Sequence, residues 1–189
     1  MPNPSRQATE KETDQQLVKR CLEGDQQSFR LLYRRHQARV RSILYQLCGG
    51  SHLDDLVQEV FLRAWKGLRG FRHSAQFSTW LYRIAWNLAS DQRRRYAQQR
   101  SQLQSLAQAT PLHHDDPGVM QLHYQQILQA GLAQLSWEHR TVIVLHDLQE
   151  QPQKEIAVML GIPVGTVKSR LFHARAALRQ FLHHAGVSL

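Results

Sequence analysis

Cysteine is scarce in this 189-residue chain. Cys21 and Cys48 stand without CxxC spacing and without paired histidine ligands nearby. That excludes a disulfide scaffold or a zinc ribbon and predicts buried or half-buried thiols in a reducing compartment. Long apolar runs are missing too, and the polar start MPNPSRQATEKETD has no signal-peptide core, so a cytoplasmic protein without direct membrane insertion is expected. No segment alternates as a strand does. There is no phosphate-cradling glycine loop, metal-ligand set or nucleophile–base signature, so neither catalysis nor a cofactor, metal or small-molecule substrate is expected. Tandem His113 and His114, followed by Asp115 and Asp116 with no distant partner set, read as a solvated turn. Acidic residues are the minority: 15 Asp and Glu face 24 Lys and Arg, for a net charge of +9. An anionic partner fits that balance.

The charge is unevenly spread. Residues 1–95 hold 17 Lys and Arg against 9 Asp and Glu, whereas residues 118–189 hold 6 against 4. The N-terminal half therefore supplies most of the field and reads as a nucleic-acid surface. Periodicity divides the chain into a disordered start (1–13), a helical domain (14–95), a linker (96–119), a second helical domain (120–184) and a short tail (185–189). In the first domain Leu17, Cys21 and Leu22 form one short apolar face, ended by Gly24. Phe29, Leu32, Tyr33, His36, Val40, Ile43, Leu44 and Leu47 step along a long helix that Gly49 and Gly50 stop. Asp54 and Asp55 open another, and Ser78 is expected to cap one running to about Arg95. The Gln-, Ser- and Ala-rich linker has no firm stripe, though a short helix around Leu103 and Leu106 is allowed. The fold class is all-α: two small helical domains on a flexible joint.

Gln153–Leu178 carries a helix-turn-helix pattern. At 100° per residue Val167, Leu171, Ala174 and Leu178 form one apolar stripe. Ser169, Phe172, His173 and Ala176 face the other way, flanked by Lys168, Arg170 and Arg175. An outward Phe ringed by donors and cations suits a surface that reads base edges and holds phosphates. Ile156, Ala157 and Leu160 supply the crossing helix, Gly161 the turn, and Thr166 the N-cap.

A second constellation lies in Gly70–Arg95. Phe71, Phe77, Trp80, Tyr82 and Trp86 are interleaved with Arg69, Arg72, Arg83, Arg93, Arg94 and Arg95. Aromatic faces can stack unpaired bases while arginines hold the backbone. Trp80, Ile84 and Leu88, at helical spacing, read instead as core. Upstream, Asp54, Asp55, Gln58 and Glu59 form an outward acidic face on a basic domain, which avoids DNA and suits a basic protein partner.

The blocks DLVQEVFLRAW (Asp55–Trp65), FSTWLYRIAWN (Phe77–Asn87) and IPVGTVKSRLFHAR (Ile162–Arg175), in that order and spacing, resemble the bacterial extracytoplasmic-function (group 4) sigma factors. The resemblance spans roughly residues 14 to 182. It implies two helical domains, sigma regions 2 and 4, that bind core RNA polymerase, recognise −35 and −10 promoter elements and nucleate melting. Asp55, Gln58 and Glu59 then dock on the β′ clamp coiled coil, with the β subunit as a further contact. Phe71 and Asn87 form the pocket for a base flipped from the −10 element, and Arg83 with Arg93, Arg94 and Arg95 grips the adjoining backbone. Lys168, Ser169, Phe172 and His173 take the −35 contacts with Arg170 on their flank, while Thr166 and the helix start meet phosphate. His173 departs from the family pattern, where arginine is common. An imidazole offers one donor in place of a bidentate fork, so the base preference there is expected to differ. Trp86 receives no role. An anti-sigma factor is an expected partner.

Two other readings stay open at this level. A stand-alone helix-turn-helix regulator would sense or dimerise through its N-terminal half. An RNA- or single-strand-binding protein would account for residues 70–95 only. Initiation with core polymerase separates all three.

Overall fold

A computed structural model describes residues 12–71, 75–103 and 119–187. Among these residues there are eight α-helices and no strand. They are α1 (Asp14–Leu22), α2 (Gln26–Cys48), α3 (Leu53–Gly67), α4 (Phe77–Leu103), α5 (Val119–Gln134), α6 (Trp137–Ile143), α7 (Gln153–Leu160) and α8 (Val164–His184). Two compact units result, Met1–Tyr45 with Gly49–Leu88 and Gln46–Cys48 with Ala89–Leu189.

In the first unit local polar chemistry starts the helices. Thr13 and Gln16 close a capping box at α1, so order begins before residue 14. Glu12 also pairs with Arg20 at 2.8 Å. The rest of the expected disordered start, residues 1–11, lies outside the described residues. Asp25 caps α2 by accepting from Gln27 N–H at 2.9 Å and from the Ser28 hydroxyl at 2.8 Å. The core gathers Leu17, Val18, Leu32, Val40, Ile43, Leu44, Val60, Phe61, Ala64, Phe77, Leu81, Tyr82 and Ala85, each at or near zero exposure. One buried polar group needs partners. His36 reaches Asp14 through Nε2 at 2.7 Å and the Tyr82 hydroxyl through Nδ1 at 3.4 Å. Arg35 binds the other Asp14 oxygen at 2.5 Å. Burial alone would raise the Asp14 carboxyl, but hydrogen bonds and charge from His36 and Arg35 outweigh it and hold the group below its ordinary value.

Two expectations on α4 change. The helix begins at Phe77, so Ser78 lies inside it, and it continues to Leu103, eight residues beyond Arg95. Leu88 is buried as expected, Trp80 and Ile84 are only half-buried, and the deepest side chains are Phe77, Leu81, Tyr82, Ala85 and Ala89. Trp80 lies instead over Gly67, whose hypothetical Cβ would sit 3.4 Å from the indole. Leu106, His113 and His114 lie outside the described residues.

In the second unit α5, α6 and α7 pack around α8. Gly131 is the close approach: a Cβ there would meet Leu178 at 2.7 Å and Phe181 at 2.9 Å. Between α6 and α7 the chain makes a π turn, Val144–Leu148, and Gln151 N–H closes onto the Leu145 carbonyl at 2.9 Å. Both cysteines are free; Cys21 is buried and Cys48 half-buried. Burial pushes each thiol up to about 11.

Two outcomes follow for stability. Gly131→Val forces Leu178 and Phe181 aside and should cost about 2 kcal/mol in chemical denaturation; an unchanged midpoint would contradict the close packing. Asp14→Asn should cost about 1 kcal/mol at pH 7, because a charge-assisted pair is weakened in a partly solvated site. A lowered carboxyl stabilises above its unfolded value of 3.8, and the contribution fades as pH falls through the lower folded value. The difference between wild type and Asp14→Asn should therefore be constant near neutrality and close below pH 3.8 in urea titrations.

Candidate nucleic-acid and polymerase interface

In the helix-turn-helix, Gly161 ends α7 in the left-handed region (φ 65°), where a glycine has no Cβ penalty, and Ile162 N–H bonds the Ala157 carbonyl at 3.1 Å. The capping residue is Pro163, not Thr166: α8 starts at Val164, and Thr166 N–H already donates to the Pro163 carbonyl at 3.0 Å. Proline's fixed φ suits a helix start, so no hydroxyl cap was required. Thr166 sits within the first turn instead. Val167, Leu171 and Ala174 are buried as expected, Leu178 half-buried. On α7 the deeply buried partner is Met159 rather than Leu160.

That burial turns the other side of α8 outward. Phe172 is 72 % exposed, the highest value among the exposed large apolar side chains. Lys168, Ser169 and His173 are exposed beside it and Arg170 is half-exposed. Lys168 and Arg170 make no ion pair among the described residues. Arg175 differs. Its Nε and Nη2 donate to both Asp147 oxygens, at 3.0 and 2.6 Å, and those bonds hold the guanidinium above its ordinary range. This bidentate pair ties α8 to the π turn and removes Arg175 from the free cations of the face.

In the first unit the aromatic set divides. Phe77 and Tyr82 are core, which removes them as stacking platforms. Phe71 is only 6 % exposed, with its ring 6.0 Å from Phe77 and 5.2 Å from Trp80. A base can stack on it only if that ring swings away from its neighbours. Arg83 and Asn87, four residues apart on α4, are both exposed. Arg93, Arg94 and Arg95 belong to the second unit and are exposed. Arg94 pairs with Asp91 at 2.7 Å, and Arg93 lies 5.2 Å from the Trp137 ring centroid.

The acidic face of α3 holds the largest surprise. Asp55, Gln58 and Glu59 line an open groove of about 510 Å³ together with Phe29, Tyr33, Phe61, Leu62 and Trp65. Phe29 meets Trp65 edge-on at 4.8 Å, and Leu62 and Trp65 are 46 % and 39 % exposed. Glu59 is steadied by Arg63 at 2.7 Å, and Asp54 pairs with Arg41. Sequence reasoning took the acidic residues and missed the apolar ones. The signal was there: Gln58, Leu62 and Trp65 stand at i, i+4 and i+7, off the Val57–Val60–Phe61–Ala64 stripe.

Among the described residues no group of three or more His, Cys, Asp or Glu is placed to hold a metal, and no helix is long and apolar enough to cross a membrane. The fold is that of an all-helical protein with a helix-turn-helix whose outer face is aromatic and cationic, and with a separate acid-rimmed apolar groove. The family model for sigma-70 region 2 matches residues 32–100, and that for sigma-70 region 4 matches residues 125–178. The ECF RNA polymerase sigma-E factor of Escherichia coli K12 is 35% identical over 182 residues, covering 90% of this chain and 94% of that protein. The sigma-E factor of Haemophilus influenzae is 32% identical over 173 residues, covering 86% and 92%. Among solved structures, CnrH in complex with the cytosolic domain of CnrY aligns with a TM-score of 0.72 at 26% identity, covering 92% of this chain and 99% of that one. The sigma factor RpoE of Bartonella quintana, in complex with the anti-sigma factor NepR, shares the fold at a TM-score of 0.69, covering 82% and 96%, with 24% identity. The chain belongs to the extracytoplasmic-function sigma factors of the sigma-70 family. It is an alternative sigma factor that recognises promoters, a DNA-binding initiation factor, and membership does not favour a stand-alone regulator.

Proposed function

We propose that this sigma factor divides its work among three surfaces. The α3 groove, with Asp55, Gln58 and Glu59 at its rim, docks on the β′ clamp of core polymerase. Lys168, Ser169, Arg170, Phe172 and His173 enter the −35 major groove while the start of α8, with Thr166, meets phosphate. Asn87 and a released Phe71 hold the flipped −10 base, and Arg83, Arg93, Arg94 and Arg95 take the adjoining backbone. The single observation that carries the reading is Phe172, an aromatic ring 72 % exposed and aimed away from the buried stripe of its own helix. A ring left so far in water suits a groove that is filled only when DNA arrives.

The residue chemistry supports several finer statements. Nucleotide addition belongs to polymerase, and this chain supplies no reacting group. The working modules are residues 14–95 and 120–184, acting in the cytoplasm. Two structural neighbours bind a protein partner, CnrH the cytosolic domain of CnrY and the Bartonella RpoE an anti-sigma factor. An inhibitor of that kind, covering the apolar groove of α3, fits the exposed Leu62 and Trp65.

Purified chain mixed with core polymerase should initiate specifically from a promoter library. Gln58→Ala combined with Glu59→Ala should lower that initiation about tenfold or more, the loss expected when central contacts of an interface are removed, with circular dichroism unchanged. Undiminished initiation would overturn the docking assignment, and tight duplex binding by the free chain without any effect on polymerase would overturn the whole reading.

A further inference from the structure

His173 is exposed on the outer face of α8, and its single-donor imidazole must be aimed to be useful. The outer ring torsion of an exposed histidine is broad and roughly two-fold, so an unsupported ring would sample many directions. This ring is not unsupported. His139 of α6 lies nearly parallel to it, at 27° with centroids 6.4 Å apart, within the range of offset-stacked rings. Phe172 closes another side edge-on, at 5.3 Å and 81°. The backbone beneath His139 is itself fixed. Its N–H donates to the Ser136 hydroxyl that caps α6, and the same short helix buries Thr141, Val142 and Ile143 in the second unit. A residue 34 positions away in the chain therefore stands beside the reading face of α8 on a rigid mount.

We infer that His139 is a positioning residue that fixes the plane of the His173 ring and so sets the base preference at the position His173 reads. The inference rests on the proposed −35 role of α8. His139 acts through its neighbour, and the two rings form one recognition unit built from separate helices.

The experiment uses the full chain in holoenzyme with core polymerase on a promoter library randomised through the −35 element, scoring the preference at each position. His173→Ala should flatten the preference at one position by roughly threefold to tenfold, the effect of losing one hydrogen bond. His139→Ala should flatten the same position, and the double variant should do no more than either alone. His139→Phe keeps a parallel ring and should keep the preference. Thermal midpoints of all variants show that each is folded. A His139→Ala profile identical to wild type, or additive losses in the double variant, would overturn the inference. So would His139→Phe behaving like His139→Ala, since that would make His139 a direct DNA contact. If −35 sequence has no influence on initiation by any protein, wild type included, the −35 reading itself has failed.

Discussion

Burial of Val167, Leu171 and Ala174 along one line of α8 is the constraint on which the DNA-facing unit depends. Each such side chain contributes about 1.5–3 kcal/mol when fully buried, less for the small alanine, and all three are at or below 2 % exposure. Rotating α8 to bury Phe172 would expose that line, so the helix has one stable orientation. The orientation then dictates the exterior. Phe172 must face water, and Lys168, Ser169 and His173 must stand with it. The bidentate hold of Asp147 on Arg175 locks the same rotation from the polar side.

The first unit sets an acidic, apolar face on a basic domain. Its α3 helix has two separate faces. Val57, Val60 and Ala64 enter the core, Gln58, Leu62 and Trp65 line an outer groove rimmed by Asp55 and Glu59, and the buried Phe61 forms part of the groove wall between them. Carboxylates around an apolar trough repel a phosphate backbone and attract a basic protein helix. Charge thus differs across one small unit: an acid-rimmed apolar groove on α3, and the exposed Arg83 guanidinium with the neutral Asn87 amide on α4. Residues 118–189, with 6 Lys and Arg against 4 Asp and Glu, bring few cations to a duplex, so their electrostatic share of DNA affinity is small.

Most of the architecture was legible because helical periodicity alone separates Val167, Leu171 and Ala174 from Phe172. Glycine at 161 announced its turn for a purely local reason. The misreadings share a physical origin. Thr166 looked like a cap by residue type, yet Pro163 had already set the backbone. Met159 and Leu160 are adjacent apolar residues, and only the tertiary crossing decides which one goes inside. Tyr82 was counted among base-stacking aromatics, whereas its hydroxyl meets His36, 46 residues away. Arg175 resembled a free flanking cation until a π turn 28 residues upstream brought Asp147 to it. His139 carried no signal at all in sequence. Its meaning comes from its stack on His173.

The central claim is that the exposed face of α8 lies against −35 bases in the working complex, and Phe172 is its most direct reporter. A photo-crosslinking phenylalanine analogue placed at position 172, in holoenzyme bound to an initiating promoter, should attach to bases of the −35 element and to no polymerase subunit. Attachment confined to protein, or to DNA near the start site, would contradict the account.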